Sequence, residues 1–328
     1  MVATAAAVVA LALPGAGSAA TTIPGIVDIY TNLGYQQAAA AGTGIVLTSS
    51  GEILTNNHVI RGATSIKVIV LDTGKSYKAT VVGYTVDHDI AVLQVTNAPA
   101  LTPAPLGNSS TVKAGDTVTT LGNAGGAGGA PSSSTGKIVG VGRSITARDD
   151  SGGSETLKGL FETNAALQPG DSGGPMVSAA GNVIGIDTAA STTFSYQNSG
   201  SRGFAIPINR ATALAAQMVA GKASTTIHIG PTAFLGVQVQ SSSPYYTQGS
   251  PTSGLFVGGV VKGSPLAKVG IVSGDIVTKF DGKALATPAR LTAIVVTKSP
   301  GDTVEVRWVD QYGTAHVATI TLASGPPQ

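Results

Sequence analysis

Hydrophobic positions between residues 45 and 208 fall in short runs of Val, Ile, Leu and Thr, with Gly, Asn, Asp and Pro between them. Such runs are typical of β-strands, and hardly any helical period is visible. The strands predicted in this region are 44–48, 65–70, 78–84, 90–95, 117–121, 136–141 and 183–187. Because chains with this many strands commonly close them into barrels or sandwiches, we expect an all-β region.

Three kinds of segment interrupt or end this pattern. Residues 122–135 and 146–158 are rich in Gly, Ser or charged residues, and both predict long polar loops. Residues 211–220, which follow Pro207, predict one short helix, and residues 221–231 predict a linker. The linker separates the all-β region from the rest of the chain.

The pattern changes after residue 232 to a mixture of strands and a helix. The predicted elements are strands 234–239, 255–260, 276–280 and 304–309 and a helix at 287–297. This mixture is typical of a small α+β domain, and roughly 90 residues can bury a modest core. We therefore expect one domain at 21–222 and a second at 232–323, with residues 324–328 disordered.

The composition excludes several kinds of chemistry. The chain has 328 residues and no cysteine, which excludes disulfides, zinc–thiolate sites and a cysteine nucleophile. Charged residues make up 11% of the chain, and the net charge is +2 without a cluster of Lys or Arg. Because nucleic-acid binding needs a concentrated positive surface, we expect no nucleic-acid partner.

The first 20 residues predict an export signal. An apolar run breaks at Pro14, and small residues follow and end at Ala20, as a signal-peptidase site would. The run is too short for a membrane anchor, which needs about 20 apolar residues. Since the positive start is missing, we expect residues 1–20 to be a truncated signal peptide and the protein to be secreted or periplasmic. A flexible Ala-rich terminus is the alternative.

The sequence GDSGGP at residues 170–175 is the main candidate for chemistry. Its glycines allow a tight turn that displays the hydroxyl of Ser172. In such a turn the N–H groups of Gly170 and Ser172 can converge on the negative oxygen of an attacked carbonyl. Because a serine hydroxyl is a poor nucleophile, this interpretation requires a base and an orienting acid elsewhere.

Two upstream stretches supply a base and an acid. His58 lies where a β run gives way to a turn, and Asp89 directly precedes the apolar run at 90–95. Side chains at the strand ends of a barrel can meet even when they are far apart in sequence. Asp87 is a competing acid, but Asp89 adjoins the strand, and His88 is then expected to point outward.

These motifs carry a family resemblance. TNNHV, HDIAVL and GDSGGP, in this order, resemble the catalytic motifs of chymotrypsin-like serine proteases. The stretches TNAALQPG and GFAIPIN are similar to the HtrA/Deg family, in which PDZ domains follow the protease domain. The resemblance implies a chymotrypsin-like double β-barrel followed by a small α+β PDZ domain. Asp171 stands where many members have Asn, which leaves the chemistry unchanged.

The resemblance also implies a role for each catalytic residue. Ser172 would attack the scissile carbonyl, His58 would take and return the proton, and Asp89 would hold the imidazole tautomer. The N–H groups of Gly170 and Ser172 would form the oxyanion hole. Neither a metal nor another cofactor is expected, and the substrates would be unfolded proteins or peptides.

The resemblance further implies the residues of the S1 pocket. In chymotrypsin-like folds the residue six positions before the nucleophile lies at the pocket floor, and here it is Ala166. By the same resemblance Ile186, Phe204 and Ile206 would contribute apolar walls. This pocket predicts small or medium aliphatic P1 residues rather than Lys or Arg.

The second domain begins with FLGV, which resembles the carboxylate-binding loop of PDZ domains. Backbone N–H groups of Leu235, Gly236 and Val237 would hold the carboxylate of a C-terminal peptide while the peptide adds a strand to the sheet. A purely structural cap is the alternative. A homotrimer is usual in the family, and Tyr30 or Tyr35 would serve its contacts.

Two other interpretations compete with the protease. GDSGG also fits the nucleophile elbow of an esterase, for which Asp275 and His316 have the required order. The elbow needs a helix after the serine, whereas residues 176–185 indicate a strand, a turn and a strand, so His228 and His316 are expected to be ordinary histidines. The second alternative is a peptide-binding, chaperone-like protein with an inactive or latent protease domain.

Overall fold

Six strands at the N-terminal end form a closed barrel. The computed structural model describes residues 23–148, 154–188, 202–241 and 254–328, so the expected signal peptide lies outside the described residues. The strands are β1 (Ile26–Leu33), β2 (Ala38–Val46), β3 (Glu52–Thr55), β4 (Ser65–Val70), β5 (Lys75–Thr85) and β6 (Ile90–Val95), with a short helix α1 (Asn57–Ile60) after β3. They pair in the order β5-β4-β1-β2-β3-β6, and β6 pairs back to β5.

Six further strands close a second barrel. They are β7 (Thr117–Gly122), β8 (Ser132–Arg148), β9 (Ser154–Thr163), β10 (Pro175–Ser178), β11 (Val183–Asp187) and β12 (Gly203–Pro207). Their order is β10-β11-β12-β9-β8-β7, with β7 pairing to β10. The helix α2 (Ile208–Val219) follows, and the strand β13 (His228–Ile229) joins the first barrel by pairing with β5.

The alternation of apolar and polar residues sets the inward faces of these strands. In β4, for example, Ile66, Val68 and Val70 are buried while Lys67 is exposed. One apolar cluster joins the two barrels, because Leu54 and Ile90 of the first pack in the same cluster as residues of the second barrel and of α2. The expected double β-barrel is confirmed, and the two barrels share a continuous core.

The C-terminal domain has the α+β composition expected of a PDZ domain, and it has its own core. Its strands are β14 (Thr232–Phe234), β15 (Val237–Gln240), β16 (Leu255–Val260), β17 (Ile276–Phe280), β18 (Lys283–Ala284), β19 (Thr303–Val309), β20 (Ala315–Thr321) and β21 (Ala323–Gly325), with helices α3 (Pro265–Lys268) and α4 (Pro288–Val295). Thr287 caps α4 by accepting a hydrogen bond from Arg290 N–H. No helix in the described ranges is long and apolar enough to span a membrane.

The prediction of a loop at residues 146–158 is wrong. Strands β8 and β9 continue through it as a paired hairpin, and only residues 149–153 lie outside the described chain. Ile145 pairs with Leu157 and both side chains are buried, whereas the hydroxyls of Thr146 and Thr156 meet at 3.1 Å on the exposed face. The other expected loop, at 122–135, ends where β8 begins at Ser132.

The linker and the C-terminal tail are also more ordered than expected. Within 221–231 the strand β13 pairs with β5, and the single strand expected at 234–239 is divided at Gly236, whose φ is 77°. The tail, expected to be disordered, pairs through β21 with β14, and the carbonyl of Pro327 accepts a hydrogen bond of 2.8 Å from Gly62 N–H. Both segments are fixed by contacts with distant residues, which a local pattern cannot reveal.

Candidate active site

His58 lies in helix α1, directly after strand β3, and a single carboxylate holds it at two points. Its ring atom Nδ1 lies 2.8 Å from Asp89 Oδ2, and its backbone N–H donates to Asp89 Oδ1 at 3.0 Å. Asp89 is buried, whereas the His58 side chain is 27% exposed. The contact orients the imidazole and leaves part of the ring accessible from outside.

Asp89 is itself fixed by two residues that the sequence analysis missed. Thr188 Oγ1 donates to Asp89 Oδ2 at 3.0 Å, and Asn56 Nδ2 donates to the Asp89 carbonyl at 2.9 Å. Asn56 stands in the motif that contains His58, but no sequence signal marks Thr188, which reaches Asp89 from the end of β11. The competing acid Asp87 is exposed, and His88 is half-buried.

Ser172 lies in the tight turn expected from its glycines. Its carbonyl accepts a hydrogen bond of 2.8 Å from Thr43 N–H. Gly173 has a φ of 83°, and a Cβ there would lie 2.1 Å from the Thr43 carbonyl oxygen. Gly170 has a φ of 100°, and a Cβ there would lie 2.0 Å from the Asn123 carbonyl oxygen. Only glycine fits either position.

The His58 helix and the Ser172 turn both pack against strand β2 at Gly42. A Cβ on Gly42 would lie 2.7 Å from the side chain of Val59, which follows His58, and 3.2 Å from the Ser172 carbonyl oxygen. The structure thus brings His58 and Asp89 into direct contact, and the His58 helix and the Ser172 turn approach each other at the position where Gly42 lacks a side chain.

Two buried carboxyl groups lie close to the Ser172 turn. Asp171 accepts from Ser132 Oγ and from Gln168 N–H, both at 2.8 Å, and burial raises its pKa. Asp187 is fully buried, and neither carboxylate oxygen has a hydrogen-bond partner among the described residues. Burial raises the pKa of Asp187 well above its ordinary value, and the charge of Asp171 raises it further.

The residues expected to form the S1 pocket differ in exposure. Ala166 is exposed, its N–H donates to Ser134 Oγ at 2.8 Å, and Phe204 is half-buried. Ile186 and Ile206 face each other across β11 and β12 with side chains that are at most 1% exposed in the shared core. These two isoleucines therefore serve the packing of the barrel in this structure.

The FLGV loop of the PDZ domain is held by its carbonyl groups. Gly236 O accepts from Val261 N–H at 2.8 Å, and Leu235 O accepts from Leu266 N–H at 3.3 Å. Because a trans peptide directs its N–H away from its carbonyl, the N–H groups of Gly236 and Val237 point away from these partners. His58, Leu235, Gly236 and Val237 line one cleft of about 1450 Å³.

The remaining histidines lie away from the Ser172 turn. His316 Nε2 lies 2.8 Å from Asp310 in the PDZ domain, and Asp275 packs in the same domain. Both residues needed for an esterase therefore lie outside the barrels. His228, expected to be ordinary, is buried, and its ring lies 2.8 Å from the carbonyl oxygen of Val296, which follows α4.

The two tyrosines considered for trimer contacts touch their own chain. Tyr35 stacks on Phe234 with ring centroids 4.9 Å apart, and Asn123 Nδ2 donates to Tyr30 Oη at 3.3 Å. Within the described ranges no three His, Asp or Glu side chains are grouped closely enough to hold a metal ion.

Known families and proteins match both parts of the chain. Residues 42–186 match the family described as Trypsin-like peptidase domain, and residues 233–309 match the PDZ domain family. Serine protease PepD of Mycobacterium tuberculosis is 33% identical over 318 residues, which cover 93% of this chain and 65% of that protein.

Two further relatives have the same level of identity. Serine protease Do-like HtrA of Lactobacillus helveticus is 33% identical over 83% of this chain and 66% of its own length. Periplasmic pH-dependent serine endoprotease DegQ of Escherichia coli is 33% identical over 81% of this chain and 55% of its own length. The chain thus spans between 55% and 66% of the length of these three curated relatives. It belongs to the HtrA family of serine proteases, with a trypsin-like peptidase domain followed by a PDZ domain.

Proposed function

We propose that this chain is a serine endopeptidase of HtrA type that hydrolyses peptide bonds in unfolded or damaged proteins. The observation that carries the proposal is the 2.8 Å contact between His58 Nδ1 and Asp89 Oδ2, beside the turn that displays Ser172. A histidine held in this way has one ring nitrogen committed to the acid and the other available to a nucleophile.

In this mechanism the proton on Nδ1 stays on the Asp89 side of the ring. Nε2 of His58 then accepts the hydroxyl proton while Ser172 Oγ attacks the scissile carbonyl. The imidazolium that forms is stabilised by Asp89, and it returns its proton to the leaving amine. Water repeats the sequence on the acyl-enzyme and releases Ser172. Apart from the substrate and one water molecule, these steps use only groups of this chain.

The N–H groups of Gly170 and Ser172 are the proposed oxyanion donors. They belong to a turn that packs so closely on Asn123 and Thr43 that a side chain fits at neither Gly170 nor Gly173, which supports a pre-formed site. In the proposed S1 pocket Ala166 forms the floor and Ile186, Phe204 and Ile206 contribute apolar walls, of which Phe204 is the one partly exposed in this structure. We expect small or medium aliphatic P1 residues, and efficient cleavage after Lys or Arg would contradict this assignment.

Casein digestion tests the proposed activity. Wild-type protein should digest casein and should be labelled at Ser172 by a fluorophosphonate probe, whereas Ser172→Ala should do neither. Binding of unfolded protein without cleavage by the wild type would instead favour the chaperone-like alternative. Labelling at a different serine would contradict the assigned nucleophile.

The PDZ domain is proposed to bind C-terminal peptides at Leu235, Gly236 and Val237. Strand β15 supports this, because it ends its sheet and pairs only with β16 among the described strands. A peptide can add a strand at such an edge while the loop holds its carboxylate. Peptides with a free C-terminus should bind, and the same peptides with an amidated C-terminus should bind at least about tenfold more weakly. Equal affinities would favour a purely structural cap.

We further propose that peptide binding at this loop regulates the protease. The cleft that the loop shares with His58 supports such coupling. C-terminal peptides should then change the rate at which the full chain hydrolyses a small peptide substrate. Rates that do not change with saturating peptide would contradict the regulation and leave the proposed hydrolysis intact.

The cellular setting and assembly complete the proposal. A secreted or periplasmic location agrees with the relatives whose names place them in the periplasm. The division into domains at 21–222 and 232–323 and a homotrimeric assembly stay predictions. Light scattering on the purified protein tests the assembly, and N-terminal sequencing of the exported protein tests cleavage after residue 20.

A further inference from the structure

The two peptide groups on either side of Gly170 are each anchored from outside the turn. The carbonyl of Pro169 accepts a hydrogen bond of 2.7 Å from Gly125 N–H. The carbonyl of Gly170 accepts a hydrogen bond of 2.8 Å from Thr43 Oγ1. Because Gly170 has no side chain and a φ of 100°, its own conformation restricts these peptide planes very little. The two external bonds therefore determine how the planes are oriented.

The first anchor controls the direction of the Gly170 N–H. The carbonyl of Pro169 and the N–H of Gly170 belong to the same peptide group, and the described chain contains no cis peptide. In a trans peptide the two point in opposite directions. As long as Gly125 holds the Pro169 carbonyl, the Gly170 N–H must point to the opposite side. A donor that is oriented in advance in this way can stabilise an oxyanion without reorganising during the reaction.

The loop that supplies Gly125 depends on Asn123 and Thr43. Asn123 Oδ1 accepts from Gly128 N–H at 2.7 Å, and Asn123 O accepts from Gly126 N–H at 2.8 Å, so Asn123 closes the loop on itself. Asn123 N–H donates to Thr43 Oγ1 at 2.9 Å. The hydroxyl of Thr43 thus receives a hydrogen bond from the loop and gives one to the turn.

Thr43 joins the two halves of the site as well. It is fully buried in β2, its N–H donates to Ser172 O at 2.8 Å, and its carbonyl accepts from Thr55 Oγ1 at 2.7 Å. Thr55 ends the strand that leads to His58. Thr43 therefore contacts the strand that precedes His58 and the carbonyl of Ser172. Its hydroxyl also bonds to Gly170 in the turn and to Asn123 in the loop that holds the turn.

We propose that Thr43 is a positioning residue for the oxyanion hole, which it orients through its hydroxyl bonds to Gly170 and Asn123. The inference rests on the proposed serine-protease function. Thr43 does not touch the substrate in this proposal. It fixes the Gly170 carbonyl directly and fixes the Gly170 N–H through the loop that holds Pro169.

Two substitutions of Thr43 distinguish the effect of its hydroxyl group from the effect of its side-chain volume. Thr43→Val keeps the volume but leaves the Gly170 carbonyl and the Asn123 N–H without their buried partner. Thr43→Ser keeps both hydrogen bonds. Thr31→Val is the matched control, because Thr31 is a buried threonine of the same barrel whose hydroxyl meets Ala40 O at 3.4 Å and not the turn.

The experiment measures kcat and KM on a peptide substrate and the affinity for a peptide boronate, which mimics the tetrahedral intermediate. Thr43→Val should lower kcat and boronate affinity by about 10- to 100-fold, with KM changed less than about threefold, because oxyanion stabilisation acts in the transition state. Thr43→Ser should restore both to within about threefold, and Thr31→Val should leave both near the wild-type values.

Folding is checked by circular dichroism and by binding of a C-terminal peptide to the PDZ domain. If Thr43→Val does not fold, Asn123→Ala replaces it, since this change removes the bond from Gly128 N–H that closes the supporting loop and should produce the same loss of kcat. Wild-type kcat in a folded Thr43→Val or Asn123→Ala variant would overturn the positioning role alone. A folded wild type that neither hydrolyses peptides nor reacts with a fluorophosphonate would overturn the proposed function and this role with it.

Discussion

Asp89 has a backbone φ of 51°, in the left-handed region that most residues avoid. Such a conformation persists where the surroundings fix it, and it is common at functional sites. Here Asn56 holds the carbonyl, while Thr188 and His58 hold the carboxylate. The conformation aims both carboxylate oxygens at the residue that the proposed mechanism uses as its base.

Replacing Asp89 by Asn should lower kcat by a factor on the order of 10⁴, because the amide no longer holds the tautomer in which Nε2 accepts a proton. Steady-state kinetics on a peptide substrate at neutral pH measure the loss. Asp87→Asn is the control, and its kcat should equal that of the wild type because Asp87 is exposed. A large loss in Asp87→Asn with an active Asp89→Asn would reverse the assignment of the acid.

Asp28 makes stability depend on pH. Its side chain is 2% exposed, its Oδ2 has no hydrogen-bond partner in the described part of the chain, and burial raises its pKa from 3.8 to about 6. Between pH 3.8 and about 6, Asp28 is therefore more often protonated in the folded state than in the unfolded state. The free energy of unfolding therefore falls as pH rises from about 4 to 6, and the cost is fully present above pH 6.

Asp28→Asn should remove this cost. We expect the substitution to raise the free energy of unfolding by up to about 3 kcal/mol at pH 7.5 and by less than about 1 kcal/mol at pH 4. Urea denaturation at both pH values measures the two gains. The exposed control Asp87→Asn should give no difference of this kind between the two pH values. Equal gains for Asp28→Asn at pH 4 and pH 7.5 would show that burial of the charge is not the cause.

Sequence motifs mark the candidate catalytic residues but not the residues that support them. His58, Asp89 and Ser172 lie in motifs whose order and spacing carry the family resemblance. Thr188 and Thr43 have no such signal, because each reaches the site through a hydrogen bond across 99 or 127 residues of sequence. An apolar residue near the site can equally belong to the core, and the burial of Ile186 is an example.

The hairpin of β8 and β9 is an element that the hydrophobic pattern of the sequence does not predict. Its polar and charged residues resemble a loop, yet Ile145 and Leu157 keep the alternation of a strand with one buried face. The pairing partner decides between the two possibilities, and it lies on the other strand. By contrast, β4, β6 and β11 begin and end at the residues predicted from the sequence, because their apolar residues alternate or run continuously between polar turns.

Truncating Leu157 tests the hairpin. If the strand is packed as described, Leu157→Ala should lower the free energy of unfolding by about 2 to 4 kcal/mol, since the side chain is buried in the core shared by both barrels. Chemical denaturation followed by fluorescence or circular dichroism measures the change. Thr156→Ala, on the exposed face, should cost less than about 1 kcal/mol. Similar small losses for both variants would indicate the flexible loop that the sequence suggested.

The fold class and the order of the domains follow from the sequence, but the contacts between the two domains do not. Tyr84 of the first barrel lies 3.2 Å from Thr232 Oγ1, and His228 lies 2.8 Å from the carbonyl of Val296 in the PDZ domain. These residues are ordinary in sequence. Their role arises from the way the second domain packs against β5 and β13.

The tail reaches the helix that contains His58, and this contact can be tested by itself. Gly62 N–H donates to Pro327 O at 2.8 Å, and Asn57 Nδ2 donates to Gln328 O at 3.0 Å. Deleting residues 326–328 removes both bonds but keeps β21, which ends at Gly325. The Gly62 amide should then exchange with deuterium about fivefold to tenfold faster, as expected for the loss of about 1 kcal/mol of local stability.

Hydrogen exchange followed by NMR gives the rates for individual amides. Amides of β14 and β21 provide the internal control, because their pairing does not involve the deleted residues and their exchange should not change. Faster exchange at β14 as well would indicate that the deletion loosens the whole edge of the PDZ domain. Unchanged exchange at Gly62 would mean that the tail does not hold the helix, because an amide whose protection comes from Pro327 cannot keep that protection after Pro327 is removed.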